Sequence, residues 1–241
     1  MGVLTVDAIK ILFEDNHLLV VEKPPNMLSQ SDNTGDPDLL TLLKEDLRKR
    51  YNKPGEAFLG LVHRLDRPVG GVMVFGKTSK SASRLSEQIR NGSFKKTYLA
   101  VVEGLPQDES GTLEHFLEKD EKTNTVTVVS PQSGRGKKAV LDYKVLESSE
   151  GLSLVRINLH TGRSHQIRVQ FSAIGHPLWG DRKYGATDST KEQDIALWSV
   201  GIRLAHPTLK QEMVFAAVPP AVYPWSGFNP DVFAGSVGME V

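Results

Sequence analysis

Apolar and polar positions along this chain alternate in short runs, broken by a few stretches where apolar residues recur every three or four positions. Ile9-Lys10-Ile11-Leu12-Phe13 and Leu18-Leu19-Val20-Val21-Glu22-Lys23 flank the polar Glu14-Asp15-Asn16-His17, the pattern of a hairpin. Lys23-Pro24-Pro25-Asn26 then forces an extended turn, since each proline fixes φ and removes a donor. Leu39, Leu42, Leu43 and Leu47 fall at helical spacing with charges on the opposite face, which predicts a helix over 39–51. The apolar run 72–77, bounded by Gly and Lys, predicts a buried strand. Residues 81–91, closed by Gly92, predict a second helix. Strands are expected at 97–102, 111–117, 125–129, 139–146 and 152–159, then a short helix at 164–174 closed by Gly175. The last expected strands are 196–204 and 212–217. Strand runs outnumber helices and are often adjacent, which favours an α+β, mixed or antiparallel sheet over a doubly wound one.

Length fits this picture: 241 residues suit one large domain or two small ones. No internal repeat and no low-complexity linker marks a boundary between two. The tail 219–241 is rich in Pro and Gly, and its end is expected to fray. No apolar run approaches the roughly 20 residues that span a bilayer, and the opening residues lack a signal-peptide pattern. A cytoplasmic protein without membrane contact is the expectation. Zero cysteines exclude disulfides, thiolate zinc sites and cysteine nucleophiles. The 29 basic and 29 acidic residues balance, so any RNA-binding surface must be a local patch.

Candidate chemistry gathers in two places. Leu61-Val62-His63-Arg64-Leu65-Asp66-Arg67-Pro68-Val69-Gly70-Gly71 sets one carboxylate among two arginines and a histidine, on a bent loop leading into the sheet. Taken alone, an Asp satisfied by turn amides or a neighbouring Arg explains it as well. The second cluster is Leu159-His160-Thr161-Gly162-Arg163-Ser164-His165-Gln166-Ile167-Arg168, a turn followed by a helix with Ser164 as its expected cap. Gly175-His176-Pro177-Leu178-Trp179-Gly180-Asp181-Arg182-Lys183-Tyr184-Gly185 follows, a loop of amides, cations and flat rings suited to phosphate and base contacts. For Arg182 and Lys183 a solvated surface is an equal reading. Period two places Tyr98 on one strand face with Lys96, Ala100 and Val102, where an aromatic is usually core. No histidine pair has zinc spacing, so no metal is expected. Ser133-Gly134-Arg135-Gly136-Lys137-Lys138 lacks the phosphate-loop spacing and reads as a basic turn between strands. No Gly-x-Ser-x-Gly elbow is present.

His63-Arg64-Leu65-Asp66, Lys96-Thr97-Tyr98, Thr161 through Arg168, Gly175-His176-Pro177, Gly180-Asp181 and Tyr184-Gly185 occur in one order. In that order the chain resembles the RluA-type pseudouridine synthases, over about Ile11 to Val218, which implies a single catalytic domain over 1–241 with its core at about 11–218. Lys23-Pro24 adds to the match, where the family has Lys-Pro-x-Gly. The resemblance implies a mixed, mainly antiparallel bisected sheet with flanking helices and an RNA-binding cleft. Many members carry an N-terminal S4-type domain. Here the first motif starts within the opening ten or so residues, so none is expected. The family's Thr-Ser-Gly is replaced by Val69-Gly70-Gly71, its Gly by Asn26, and a frequent His by Gln170.

The activity implied is conversion of uridine in ribosomal or transfer RNA to pseudouridine without a cofactor, by a monomer. By resemblance Asp66 is the catalytic carboxylate, Arg168 pairs with it, and Tyr98 stacks on the flipped uracil. Arg64 helps fill the vacated position, and His63, Arg67, Lys96, Arg163, His165, Gln166 and Arg182 complete the implied RNA contacts. Leu197 packs on the base by family position, though core packing serves a strand leucine equally. Two other classes remain open to test: a non-catalytic RNA-binding protein on the same fold, and a hydrolase using the His-rich loops.

Overall fold

The computed structural model describes residues 9–187 and 195–237. In chain order these form β1 (Lys10–Glu14), β2 (Leu18–Lys23), α1 (Leu39–Arg50), β3 (Gly60–Leu61), β4 (Gly70–Gly76) and α2 (Ser79–Arg90). There follow β5 (Lys95–Glu103), β6 (Ser110–Asp120), β7 (Thr125–Val129), β8 (Lys137–Ser149), β9 (Leu152–Leu159) and α3 (Gln166–Ala173). The last are β10 (Leu197–Ala205), β11 (Glu212–Ala216) and α4 (Pro230–Val237). This is the strand-rich α+β class that the periodicity predicts. No helix among the described residues is long and apolar enough to cross a membrane.

The chain divides into two compact units. The first is the chain up to Lys96 with Ser199–Val218, the second Thr97–Trp198 with the chain from Pro219. In the first the strand order is β1-β2-β4-β10, with β3 on β4 and β11 on β10. Leu18, Leu19, Val20 and Val21 are all fully buried, so β2 is apolar on both faces as a central strand requires. β4 is buried throughout. Gly71 has φ +114°, and a Cβ there would lie 2.3 Å from the Ser199 carbonyl oxygen, so only glycine lets the two backbones approach. Asp38 caps α1 by accepting the Thr41 N–H at 3.0 Å. Thr78 and Ser81 cap α2 reciprocally, which starts that helix at Ser79, two residues before the spacing alone places it.

The β1–β2 turn is built on one carboxylate. Asp15 Oδ1 accepts the N–H groups of His17 and Leu18, each at 2.7 Å, and its Oδ2 lies 2.9 Å from Nε2 of the buried His206. Nδ1 of His206 accepts from Leu209 and Thr208 N–H, so the proton sits on Nε2 and is donated to Asp15. Burial pushes the Asp15 carboxyl up, but the bonds from His17, Leu18 and His206 together outweigh it and leave the pKa lowered. A lowered folded value gives stability that is full above the unfolded pKa and lost as pH falls through the folded one. Asp15→Asn should therefore destabilise by about 1.5–3 kcal/mol at neutral pH. The gap to the parent should close in strong acid, read from urea midpoints at both pH values.

The second unit carries the order β5-β9-β8-β6-β7, each adjacent pair antiparallel. α3 lies over it, and Leu117, Val126, Ala139, Val169 and Tyr184 form a buried apolar cluster. Phe171 of α3 meets the Tyr143 ring edge-on at 5.5 Å. The tail is folded further than its composition suggests: Trp225 and Phe233 are buried, with ring centroids 6.3 Å apart. The fraying expected at its end falls on 238–241, outside the described residues.

Candidate functional site

Asp66 lies on the loop that joins β3 to β4, where the Val69 N–H donates to the Asp66 carbonyl at 3.0 Å and closes the bend. Side chains grip the chain on both sides of it. The buried Ser29 hydroxyl donates to the Leu65 carbonyl at 2.7 Å and accepts the Leu65 N–H at 3.1 Å. Lys23, 0% exposed, donates its ammonium to Met27 O at 2.7 Å, Pro24 O at 3.0 Å and Arg67 O at 3.1 Å. Asn26 takes the left-handed conformation, φ 63°, that its place in the Lys-Pro turn calls for. His63 Nε2 accepts the Val74 N–H at 3.0 Å, and its ring packs on Phe94 at 5.5 Å. Residues 63, 65 and 67 are thus each tied down, which holds the half-buried Asp66 between them in one place. Lys23→Met removes a charged donor from three carbonyls and should lower stability by about 1–3 kcal/mol. The expected signature is a lower urea midpoint at unchanged slope.

The basic side chains of the first unit's motifs differ in kind. Burial, with the Lys96 ammonium nearby, pushes His63 down to about 3, so its imidazole is neutral at physiological pH. Its role in the structure is that of a strut. Lys96 is half-buried, and burial lowers its pKa. Arg67 is exposed and pairs with the exposed Asp36 at 2.6 Å. Arg64 is exposed. All of these belong to the first unit.

Tyr98, Arg163, His165, Gln166, Arg168 and Arg182 belong to the second. Tyr98 is 6% exposed on β5, opposite Ile157 of β9. Arg168 projects from α3 into a bidentate pair with Asp181, Nε to Oδ2 at 2.6 Å and Nη2 to Oδ1 at 2.8 Å. The two side chains are 7% and 1% exposed. The guanidinium also lies 5.0 Å over the Tyr184 ring. The Tyr184 hydroxyl lies 2.6 Å from His165 Nδ1 and accepts the Val126 N–H at 3.0 Å.

The start of α3 corrects one expectation. Ser164 does not cap it: the helix begins at Gln166, and His165 occupies the cap position in a left-handed conformation, φ 50°, without a side-chain capping bond. Gln166 is buried, and its amide is taken up by Thr161 Oγ1 at 2.8 Å, the Arg163 N–H at 3.0 Å and the Val140 carbonyl at 3.1 Å. Arg163 is exposed, with Nε on the Lys138 carbonyl at 3.0 Å. The loop 175–185 keeps its rings inside: Trp179 and Tyr184 are buried, while Arg182 and Lys183 are exposed. Gln170 donates to the carbonyls of Leu113 and Ala139, so this departure from the family pattern is part of the scaffold. Among the described residues no group of three or more His, Cys, Asp or Glu could hold a metal. Lys23, Ser29, Asp181 and Tyr184 are the residues that sequence reasoning did not assign to a site. Lys23, Asp181 and Tyr184 stand inside its motifs, but residue type and spacing do not show the partners that give them a role.

A family model described as RNA pseudouridylate synthase matches residues 17–173. Over 212 residues the chain is 35% identical to an uncharacterized RNA pseudouridine synthase, YhcT, of Bacillus subtilis, covering 87% of this chain and 68% of that one. It is 32% identical over 222 residues to ribosomal large subunit pseudouridine synthase D of Zymomonas mobilis, covering 88% and 69%. Among solved structures, human RNA pseudouridylate synthase domain containing 4 aligns over 88% of each chain with a TM-score of 0.73 at 23% identity, a likeness of fold.

Proposed function

This chain belongs to the RNA pseudouridylate synthase family, and from that premise we propose that Asp66 is the reacting carboxylate of a uridine isomerase. The enzyme converts uridine in RNA to pseudouridine. The N1–C1′ bond breaks, the uracil turns, a C5–C1′ bond forms, the C5 proton leaves and N1 gains one. Nothing is added or removed overall. A carboxylate suits the first step because positive charge develops at C1′ as the glycosidic bond opens.

The observation that carries the reading is the grip on the Asp66 loop. Ser29, Lys23 and His63 fix the chain at 65, 67 and 63, and a preorganised carboxylate is what such a step needs. Tyr98 is the ring that faces the uracil and relays its proton, and Arg168 is the cation that serves the reacting carboxylate. Arg64, Arg67, Lys96, Arg163 and Arg182 are the RNA-contacting cations. His63, His165 and Gln166 support them, given the bonds each makes within the fold. The family match spans parts of both compact units, which supports reading the chain as one catalytic domain; that it acts as a monomer in the cytoplasm belongs to the same proposal.

Release of tritium from RNA carrying [5-³H]uridine tests this, with ribosomal and transfer RNA lacking pseudouridine tried separately. Large-subunit ribosomal RNA comes first, because the Zymomonas relative is named for it. Release from one pool names the substrate class. Binding without release from any pool would favour a non-catalytic RNA-binding protein.

A further inference from the structure

The loop that the sequence offers as a nucleic-acid surface turns inward in the structure. Asp181, the one carboxylate between Gly175 and Gly185, is buried, and both its oxygens are committed to Arg168. A bidentate fork fixes rotation of the guanidinium within its plane. The Tyr184 ring at 5.0 Å backs one face and limits its tilt. The holder is itself held. The Asp181 carbonyl accepts the N–H groups of Tyr184 and Ala186, each at 3.1 Å, and the Ser172 hydroxyl of α3 donates to the Tyr184 carbonyl at 2.6 Å. Gly180 and Gly185 take the positive φ values, 80° and 98°, that let so short a turn fold back on α3. The fork occupies the Nε–Nη2 edge, so the Nη1 edge is the one whose direction the clamp sets.

We propose that Asp181, backed by the Tyr184 ring, is a positioning residue for the reaction: it fixes where and how Arg168 presents its charge. This rests on the role given to Arg168 above. Asp181 touches no reacting atom, and its contribution runs through the guanidinium it holds. A displaced guanidinium weakens the transition state without weakening the many contacts that bind RNA, so the effect falls on kcat and spares KM.

The test uses two variants. Asp181→Asn keeps the shape and removes the charge. Asp181→Glu keeps the charge that pairs with Arg168 and shifts it by one methylene, which makes it the second variant should the first fail to fold. Both are assayed by tritium release on the RNA that the parent enzyme modifies, with rates normalised to folded protein. Asp15→Asn, in the β1–β2 turn of the first unit, serves as the control for lost stability. For Asp181→Glu and Asp181→Asn kcat should fall by about 10–100-fold, with KM for RNA within about twofold. Asp15→Asn should keep its kcat while melting earlier. Arg168→Lys is run beside them. Loss of kcat in Arg168→Lys with none per folded molecule in the Asp181 variants makes the pair purely structural and overturns the inference alone. Full activity in Arg168→Lys overturns the role of Arg168 and the inference with it.

Discussion

Asp66→Asn should give a folded protein that still binds RNA and releases no tritium from it. The substitution is nearly isosteric, and the ties that shape its loop do not depend on a charge at position 66. Ser29 holds the backbone of Leu65, Lys23 holds the carbonyl of Arg67, and His63 holds β4 through Val74. What is lost is the carboxylate proposed to act on C1′ or on the base. An amide neither attacks as an anion nor stabilises a developing cation, so the fall in turnover should be ~10³-fold or more. RNA affinity should change little, because binding rests chiefly on cations that neutralise phosphates, and its salt dependence should keep the parent slope. Melting, filter binding and tritium release on one preparation measure the three quantities. Appreciable turnover in a folded Asp66→Asn protein would remove Asp66 from the reaction. Loss of RNA binding together with turnover would make it a binding residue instead.

Much of the fold is legible because its strands are apolar or alternating runs bounded by ordinary turn residues. β7 and β9 fall where the apolar runs place them, and the first hairpin and α1 lie within one residue of expectation. The elements that escape reading are those decided by distant contacts. β3 is two residues long, too short for any period, and Gly60 is needed because a Cβ would come 2.5 Å from Ala82 Cβ. α4 hides in a Pro- and Gly-rich stretch and is held by Phe233 on Trp225. The start of α3 is misread because cap preference favours Ser164. His165 instead adopts a left-handed conformation while its ring meets the Tyr184 hydroxyl, nineteen residues on.

The candidate site divides the same way. Its motif residues stand out in the sequence, because Arg, His and Asp crowded about Gly and Pro are unusual. Their supports do not. A lysine in a strand is expected at the surface, yet Lys23 is buried, since three carbonyls converge on its ammonium. Ser29 looks like any loop serine until its hydroxyl is seen to satisfy both backbone groups of the residue before Asp66. In each unit the side chain credited with chemistry is flanked by buried polar groups whose bonds set its position. Sequence reveals the former by residue type, and only packing reveals the latter.

Arg168→Leu should damage stability and activity together, and the two losses can be separated. Leucine removes the partner of a carboxylate that is 1% exposed and receives two charged hydrogen bonds from Arg168, at 2.6 and 2.8 Å. Stripping one member from a buried pair costs about 3–5 kcal/mol, because the other is left without compensation. Replacing both members by apolar side chains costs far less, as the stranded charge disappears with its partner. The double variant Arg168→Leu/Asp181→Leu should therefore recover part of the stability lost in Arg168→Leu. It should recover none of the activity, since the cation proposed to serve the reacting carboxylate is absent from both. Denaturant midpoints of the parent, the two single variants and the double variant give the coupling directly. Tritium release from the same four proteins, normalised to folded fraction, gives the chemistry. Activity that returns with stability in the double variant would make Arg168 a structural residue. Stability unchanged in Arg168→Leu would mean that Asp181 is satisfied in some other way.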